Sequence, residues 1–432
     1  MFNRLFEVIE NTNPINTKGK IDKLVGMVIE STGPNADIGT VCRIHSLKNN
    51  THIKAEVVGF KDNRVILMPY EDTNGITKGS VVESTGESPR IPVGKNLIGR
   101  VIDGFGNPID GRGDIQTERS YPVQGTPSNP LLRPQISEPI IMGIKPIDSL
   151  LTIGKGQRMG IFSGSGVGKS TLMGMIARNI EADVNVIALV GERGREVRGF
   201  IERDLQESGM ARTVLVVATS DQPAMMRLKC AMTATAIAEF FKDQGMDVLL
   251  MMDSLTRFAM AQREIGLATG EPPVARGYTP SLYALLPKLL ERTGNFEKGS
   301  ITGIYTVLVE GDDVNEPISD TVRGIIDGHI VLSRAIAMRN HYPAIDILAS
   351  ISRIMTEIVE PEHLEAAAKV RSTLSAYYDN YDLISIGAYK SGTNPKIDYA
   401  IENIDRINGF LTQKIHEKFS FEETMRLMNE LI

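Results

Sequence analysis

Apolar positions change their rhythm twice along the 432-residue chain. From about 20 to 90 they form short β-rich runs, GMVIEST, TVCRIHSL, IKAEVVGF and RVILMPY, broken by GPNADIG, KNNTH and KDN. Such runs between turn residues predict the strands of a small closed or nearly closed β domain. A Gly/Pro-rich stretch follows, VIDGFGNPIDGRG and then GTPSNPLLRP, whose interleaved apolar residues argue for ordered connections over a flexible linker. From about 150, continuous apolar runs alternate with helical segments. The runs are RMGIFSG, VNVIALVG, TVLVVATS, DVLLMMDS, ITGIYTVLVEG and GHIVLS; the helices include KSTLMGMIARNI and PAMMRLKCAMTATAIAEFFKDQG. Strands apolar on both faces and linked by helices predict a parallel sheet covered on both sides. Ser220 or Asp221 is the candidate N-cap of the second helix, with Pro223 near its first turn and Gly245 at its end. Beyond about 355 the strands stop. PEHLEAAAKVRSTLSAYYDNY, NPKIDYAIENIDRINGFLTQKIHEKF and SFEETMRLMNELI predict a helical domain. The expected division is a terminal segment over 1–18, a β-barrel over 19–92, an α/β core over 93–355 and a helical domain over 356–432.

At the N-terminus, Phe2, Leu5, Phe6 and Ile9 make the stripe of an amphipathic helix. It fits packing on its own domain as well as docking on a partner. Arg4, Glu7 and Glu10 interrupt it, so it is no signal peptide, and no apolar run approaches the roughly 18 residues of a membrane span. A net charge of −6 argues against a dedicated nucleic-acid binder. Cys42 and Cys230 lack metal-ligand spacing, which fits a reduced, cytoplasmic setting.

Ligands of α/β sheets gather at the carboxyl ends of the strands. Five features fall there: the glycine loop after Phe162, Glu192, Ser220–Asp221, Asp253 and Glu310. The loop FSGSGVGKST nearly spells the phosphate-binding pattern G-x-x-x-x-G-K-[ST], with Ser163 in place of the first glycine. Gly164, Gly166 and Gly168 allow successive amides to face phosphate oxygens, with Ser165 and Val167 between them. The helix that opens at Lys169, Ser170 and Thr171 adds the positive end of its dipole. Lys169 would neutralise the terminal phosphates, and the Ser170 hydroxyl would bind Mg²⁺. Asp253, closing an apolar strand, suits a partner for the same ion. Hydrolysis also needs a carboxylate to orient water. Glu192 and Glu196 in GERGREV both qualify, and position favours Glu192, nearer the strand's end.

Longer stretches carry a resemblance. GSGVGKSTLMGMIAR, GERGREVRGFIERDL, MMDSLTRFAMAQREIGLATGEPPVARGYTPSLYALLPKLLERTG, EGDDVNEPISDTVRGIIDGHIVLSR and HYPAIDILASISR resemble the ATPases of type III protein export. These are relatives of the catalytic β subunit of rotary ATP synthases. The likeness runs from about residue 20 to the end, and GMVIESTGPNADIGTVCRI with IGAYKSGTNPKIDYAI place it nearest the flagellar branch. It implies a RecA-like P-loop core between a β-barrel and a helical domain. It also implies a homohexamer with active sites between subunits, working on ATP with Mg²⁺. Glu192 matches the catalytic carboxylate and Arg193 the neighbour that senses nucleotide state. Arg353 matches an arginine finger inserted into the next subunit's site, and Tyr342 the ring that stacks on adenine. VARGYTPSLYALLP resembles the loop facing the pore. Implied partners are a regulator dimer at the N-terminal stripe, a central stalk-like protein, the export gate, and chaperones with their cargo. The implied location is the cytoplasmic face of the inner membrane, by peripheral association.

The same engine in a virulence injectisome shares every catalytic motif, so only the terminal segments separate the two. A rotary synthase or vacuolar-type subunit fits less well, given IGAYKSGTNP and the lack of an acidic DELSEED-like stretch. A non-catalytic subunit would carry Gln where Glu192 stands, and an RNA translocase needs an RNA-binding N-terminal domain.

Overall fold

The computed structural model describes residues 17–47, 51–309 and 316–431. The N-terminal stripe and Glu310 lie outside them. Six strands, Lys18–Val25, Val28–Ser31, Val41–His45, His52–Lys61, Arg64–Pro69 and Val81–Ser84, close into a barrel. Their alternating pattern sends Ile21, Ile29, Ile44, Ala55, Val57, Leu67 and Val82 inward to one core. The barrel is seated on the rest of the chain by a buried ion pair. Glu56 accepts hydrogen bonds from Lys229 Nζ at 2.8 Å and from Tyr70 Oη at 2.5 Å. Removing one partner of such a pair costs about 3–5 kcal/mol, so the seat is specific.

The core is a nine-stranded sheet. Its order is Ile345–Ser352, Gly328–Leu332, Arg158–Ser163, Ser300–Leu308, Asp247–Asp253, Val184–Glu192, Thr213–Thr219 and Val101–Ile102, with Gly294–Asn295 paired beside Ser300. The run from Gly328–Leu332 to Val101–Ile102 is parallel, as the continuous apolar strands require. Alternation divides each strand between two cores. Val186, Ala188, Val190, Val248, Leu250 and Met252 face the helices Ala224–Asp243, Leu255–Thr269 and Pro280–Leu290. Ile187, Leu189, Leu249 and Met251 face the helix Lys169–Asn179 and the C-terminal helices. The alternation is silent in the sequence because both sets are apolar.

Three expectations need correction. Ile345–Ser352 is an antiparallel edge strand, where the apolar runs suggested only parallel ones. Its exposed Leu348, Ala349 and Ile351 break the buried pattern that marks the others. The helix after Ser220 is capped by Pro223 and starts at Ala224, so neither Ser220 nor Asp221 caps it; the Ser220 amide instead donates to the Glu192 carbonyl, 3.0 Å away. The helix expected to run to Phe419 ends at Leu411. There the chain turns back over the core, held by Gln413: its amide donates to the Tyr342 carbonyl (2.9 Å), and its side chain bonds the Lys145 amide and the Gly143 carbonyl.

Candidate active site

The loop 164–168 joins the strand Arg158–Ser163 to the helix Lys169–Asn179. Gly166 (φ 79°) and Gly168 (φ 89°) occupy the left-handed region that favours glycine; Gly164 does not, so the expectation that all three use that freedom holds for two. Gly168 is the N-cap, with no side-chain cap on the first amides. The helix thus begins with orphan N–H donors, the arrangement that takes an anion. Ser165 and Gly166 are exposed, Val167 is buried, and Ser170 and Thr171 are half-buried in the first turn.

Lys169 turns back across the sheet edge and pairs with the Asp253 carboxylate, with the nearer Glu192 oxygen at 3.9 Å. Asp253 is 3 % exposed, closes its strand and accepts a 2.7 Å bond from Thr306 Oγ1. Glu192 closes the adjoining strand. Burial, then the neighbouring Asp253 charge and a hydrogen bond shared with Glu196, push its carboxyl up to about 7. Glu196 is held below the usual carboxylate range, chiefly by that shared bond. One lysine therefore faces two carboxylates at the mouth of an anion-binding loop, and one carboxylate titrates near neutrality.

Tyr342 lies against the start of the same helix, its ring 3.5 Å from where a Cβ at Gly168 would stand. With Gly166, Val167, Thr171, Pro343 and the turned-back segment from Thr412 to His416 it lines a cavity of about 670 Å³. Arg193, the N-cap of the helix Gly194–Gly199, leaves its side chain 71 % exposed, 3.8 Å from Glu196. Its guanidinium does not join the lysine cluster.

Arg353 stands apart from all of these. Its amide donates to the Asp327 carbonyl (3.0 Å), and the Asp327 carboxylate grips Arg158 at the start of the loop's strand. The loop leaves the other end of that strand, five residues later. At about 3.3 Å per residue, Arg353 and the loop therefore lie at opposite ends of the strands, a strand's length apart.

Sequence reasoning missed three contributors. Arg257, in the first turn of Leu255–Thr269, packs over Gly191, and its buried Nε has no partner among the described residues. Its signal was DSLTR, four residues past Asp253, which was already singled out. Thr306 and the 412–416 segment gave none, because only folding brings them near. Ser163, which replaces the loop's usual first glycine, is 1 % exposed, and its hydroxyl has no hydrogen-bond partner among the described residues. A buried unpaired hydroxyl costs about 1–3 kcal/mol. Ser163→Ala is therefore expected to raise the unfolding free energy by about 1 kcal/mol in urea titration. Nucleotide affinity should stay within a few-fold; a tenfold loss would show that the hydroxyl takes part in binding.

Comparison with known proteins agrees with this geometry. Residues 143–352 match the nucleotide-binding domain of the ATP synthase alpha/beta family, 22–86 its beta-barrel domain, and 359–430 the C-terminal domain of the type III secretion ATPase EscN. The chain is 56% identical to a flagellum-specific ATP synthase of Bacillus subtilis, over 99% of this chain and 98% of that protein. It is 48% identical to a type 3 secretion system ATPase of Xanthomonas euvesicatoria, over 96% of this chain and 93% of the other. The structure of assembled EscN from enteropathogenic E. coli superposes with a TM-score of 0.91 at 47% identity, covering 96% of this chain and 99% of that one. A second EscN structure, in complex with its central stalk EscO, gives 0.89.

Proposed function

This chain belongs to the ATP synthase alpha/beta family, in its branch of flagellum-specific ATP synthases and type 3 secretion system ATPases, and from that premise we propose that it hydrolyses ATP in a ring to energise export of flagellar proteins. One observation carries the reading. Lys169, Asp253 and Glu192 converge at the loop, while Arg353 lies at the opposite end of the strands. A single chain holds two halves of a site that only adjacent copies can join, in accord with the assembled state of EscN.

The polyphosphate lies on the loop amides and the start of the helix, where Lys169 exchanges its Asp253 partner for phosphate oxygens. Tyr342 covers one face of the adenine, and the 412–416 segment closes the cavity behind it. Magnesium fits the donor set: a buried aspartate and the Ser170 hydroxyl supply hard oxygens. When bound it offsets the charge on the transferring phosphate. Glu192 orients the attacking water and accepts its proton. Arg193, already exposed beside Glu196, turns toward the γ-phosphate, and Arg353 of the next copy reaches it from across the interface.

The flagellar reading rests on the greater identity to the Bacillus protein than to the Xanthomonas one. On it, the N-terminal segment docks a regulator dimer, a stalk protein occupies the ring's centre as EscO does in EscN, and the helical domain faces the export gate, chaperones and cargo. No described helix is long and apolar enough to cross a membrane; on this reading the chain attaches peripherally to the inner membrane's cytoplasmic face. Deletion of the gene is expected to leave cells without filaments and immotile, with restoration by the wild-type gene but not by Glu192→Gln. Normal filaments in the deletion strain would refute the role; loss of an injected effector instead would assign the chain to an injectisome.

A further inference from the structure

Leu131 and Leu132 are 90% and 73% exposed, an unusual state for two adjacent leucines. They do not sit on a loose loop. Asn129 caps their turn by accepting the Leu131 amide at 3.0 Å. Arg133, next in the chain, is fastened to the body: its guanidinium donates to the Glu291 and Thr293 carbonyls and to Ser128 Oγ, and lies over the Phe296 ring. The fold thus fixes two apolar side chains in a defined outward position, uncovered among the described residues.

Their place in the molecule says what covers them. From Arg133 a chain of ion pairs runs along the sheet's lower edge. Arg133 meets Glu291 (3.6 Å), Glu291 meets Arg158 (2.5 Å), and Arg158 meets Asp327 (3.0 Å), whose carbonyl accepts the Arg353 amide. The leucine turn therefore shares its edge with the finger. Ile351, two residues before Arg353 near the end of the strand Ile345–Ser352, is 46% exposed, as Arg353 just past the strand is also exposed. Exposed apolar side chains thus lie at both ends of this ion-pair chain, Leu131 and Leu132 beside Arg133 and Ile351 beside Arg353.

We propose that Leu131, Leu132 and Ile351 form the apolar contact by which this face docks on a second copy of the chain, beside the Lys169–Glu192 site. The proposal rests on the ring reading above and adds what holds the ring: burial of these three side chains sets the concentration at which Arg353 reaches its target. A heterologous contact of this kind, one face against a different face, closes into a ring only when the rotation permits. Anchoring by Arg133 makes the angle reproducible.

The test is sedimentation velocity across protein concentration, in nucleotide, for wild type, Leu131→Ser/Leu132→Ser and Leu131→Met/Leu132→Met, with binding of a fluorescent ATP analogue to the monomer measured alongside. The Ser pair should raise the concentration of half-assembly at least tenfold, leaving the unfolding temperature and the monomer's analogue affinity unchanged; the Met pair should assemble as wild type does. Assembly of the Ser pair at the wild-type concentration overturns the proposal and leaves the ring reading standing. A wild-type chain that stays monomeric yet turns over ATP in simple proportion to its concentration overturns the ring reading, and the proposal with it.

Discussion

Arg353→Ala should bind ATP as tightly as wild type, assemble, and turn over 10³–10⁵-fold more slowly, the range for an arginine supplied across an interface. That is about 4–7 kcal/mol of transition-state stabilisation. Arg353 is exposed, and among the described residues its guanidinium donates to the carbonyls of Arg323 and Ile326, each at a long 3.3 Å, so its loss removes two weak hydrogen bonds. Arg353→Lys should recover little, because an ammonium lacks the planar fork that spans two phosphate oxygens. Mixing supplies the decisive measurement. Arg353→Ala combined with Glu192→Gln should regain activity that neither shows alone, because some interfaces then join an intact Glu192 to an intact Arg353. Additive residual rates in the mixture would place the finger in its own chain's site, against the sheet geometry.

Glu192→Gln should be the second near-complete loss, about 10²–10⁴-fold in turnover with ATP affinity retained, as expected when a positioned base is removed. Its pH dependence is specific. Burial and Asp253 hold the Glu192 carboxyl at about 7 in the empty site, so kcat/KM should fall about tenfold per pH unit below that value. The same shift bears on stability with the opposite sense. A carboxyl whose folded value is raised loses stability as pH climbs from 4.5 through about 7, because ionising it in place is unfavourable. At pH 8 the empty Glu192→Gln protein should therefore unfold at a higher temperature than wild type, and by pH 4 the difference should vanish. A variant less stable at pH 8 would mean that Lys169 more than offsets the burial.

Part of this site is legible in the sequence alone. Lys169, Ser170 and Glu192 announce themselves because phosphate binding and water activation restrict the local sequence: a glycine loop running into a helix, and a carboxylate closing an apolar strand. Arg353 does not. Nothing within SISR separates it from Arg334 or Arg339, and only likeness to a family singled it out. The structure adds a physical reason, since the antiparallel turn of Ile345–Ser352 carries it to the edge away from its own loop. Thr306 and the 412–416 segment were invisible for a different cause. They act through partners 53 or more residues distant, such as Asp253 for Thr306, and no local pattern encodes such a meeting.

By itself the sequence determined the alternation of elements and the glycine loop with its lysine, and it singled out Glu192 at the end of an apolar strand, because each depends on neighbours within a dozen residues. Backbone conformation, apolar period and helix dipole all act at that range. Only the tertiary structure decided which residues share a site and which are kept from it. It turned the chain back at Leu411 to wall the cavity behind Tyr342, paired Lys169 with Asp253, and put a full strand's length between the loop and Arg353. Those choices come from packing two faces of one sheet at once, a condition no segment meets alone.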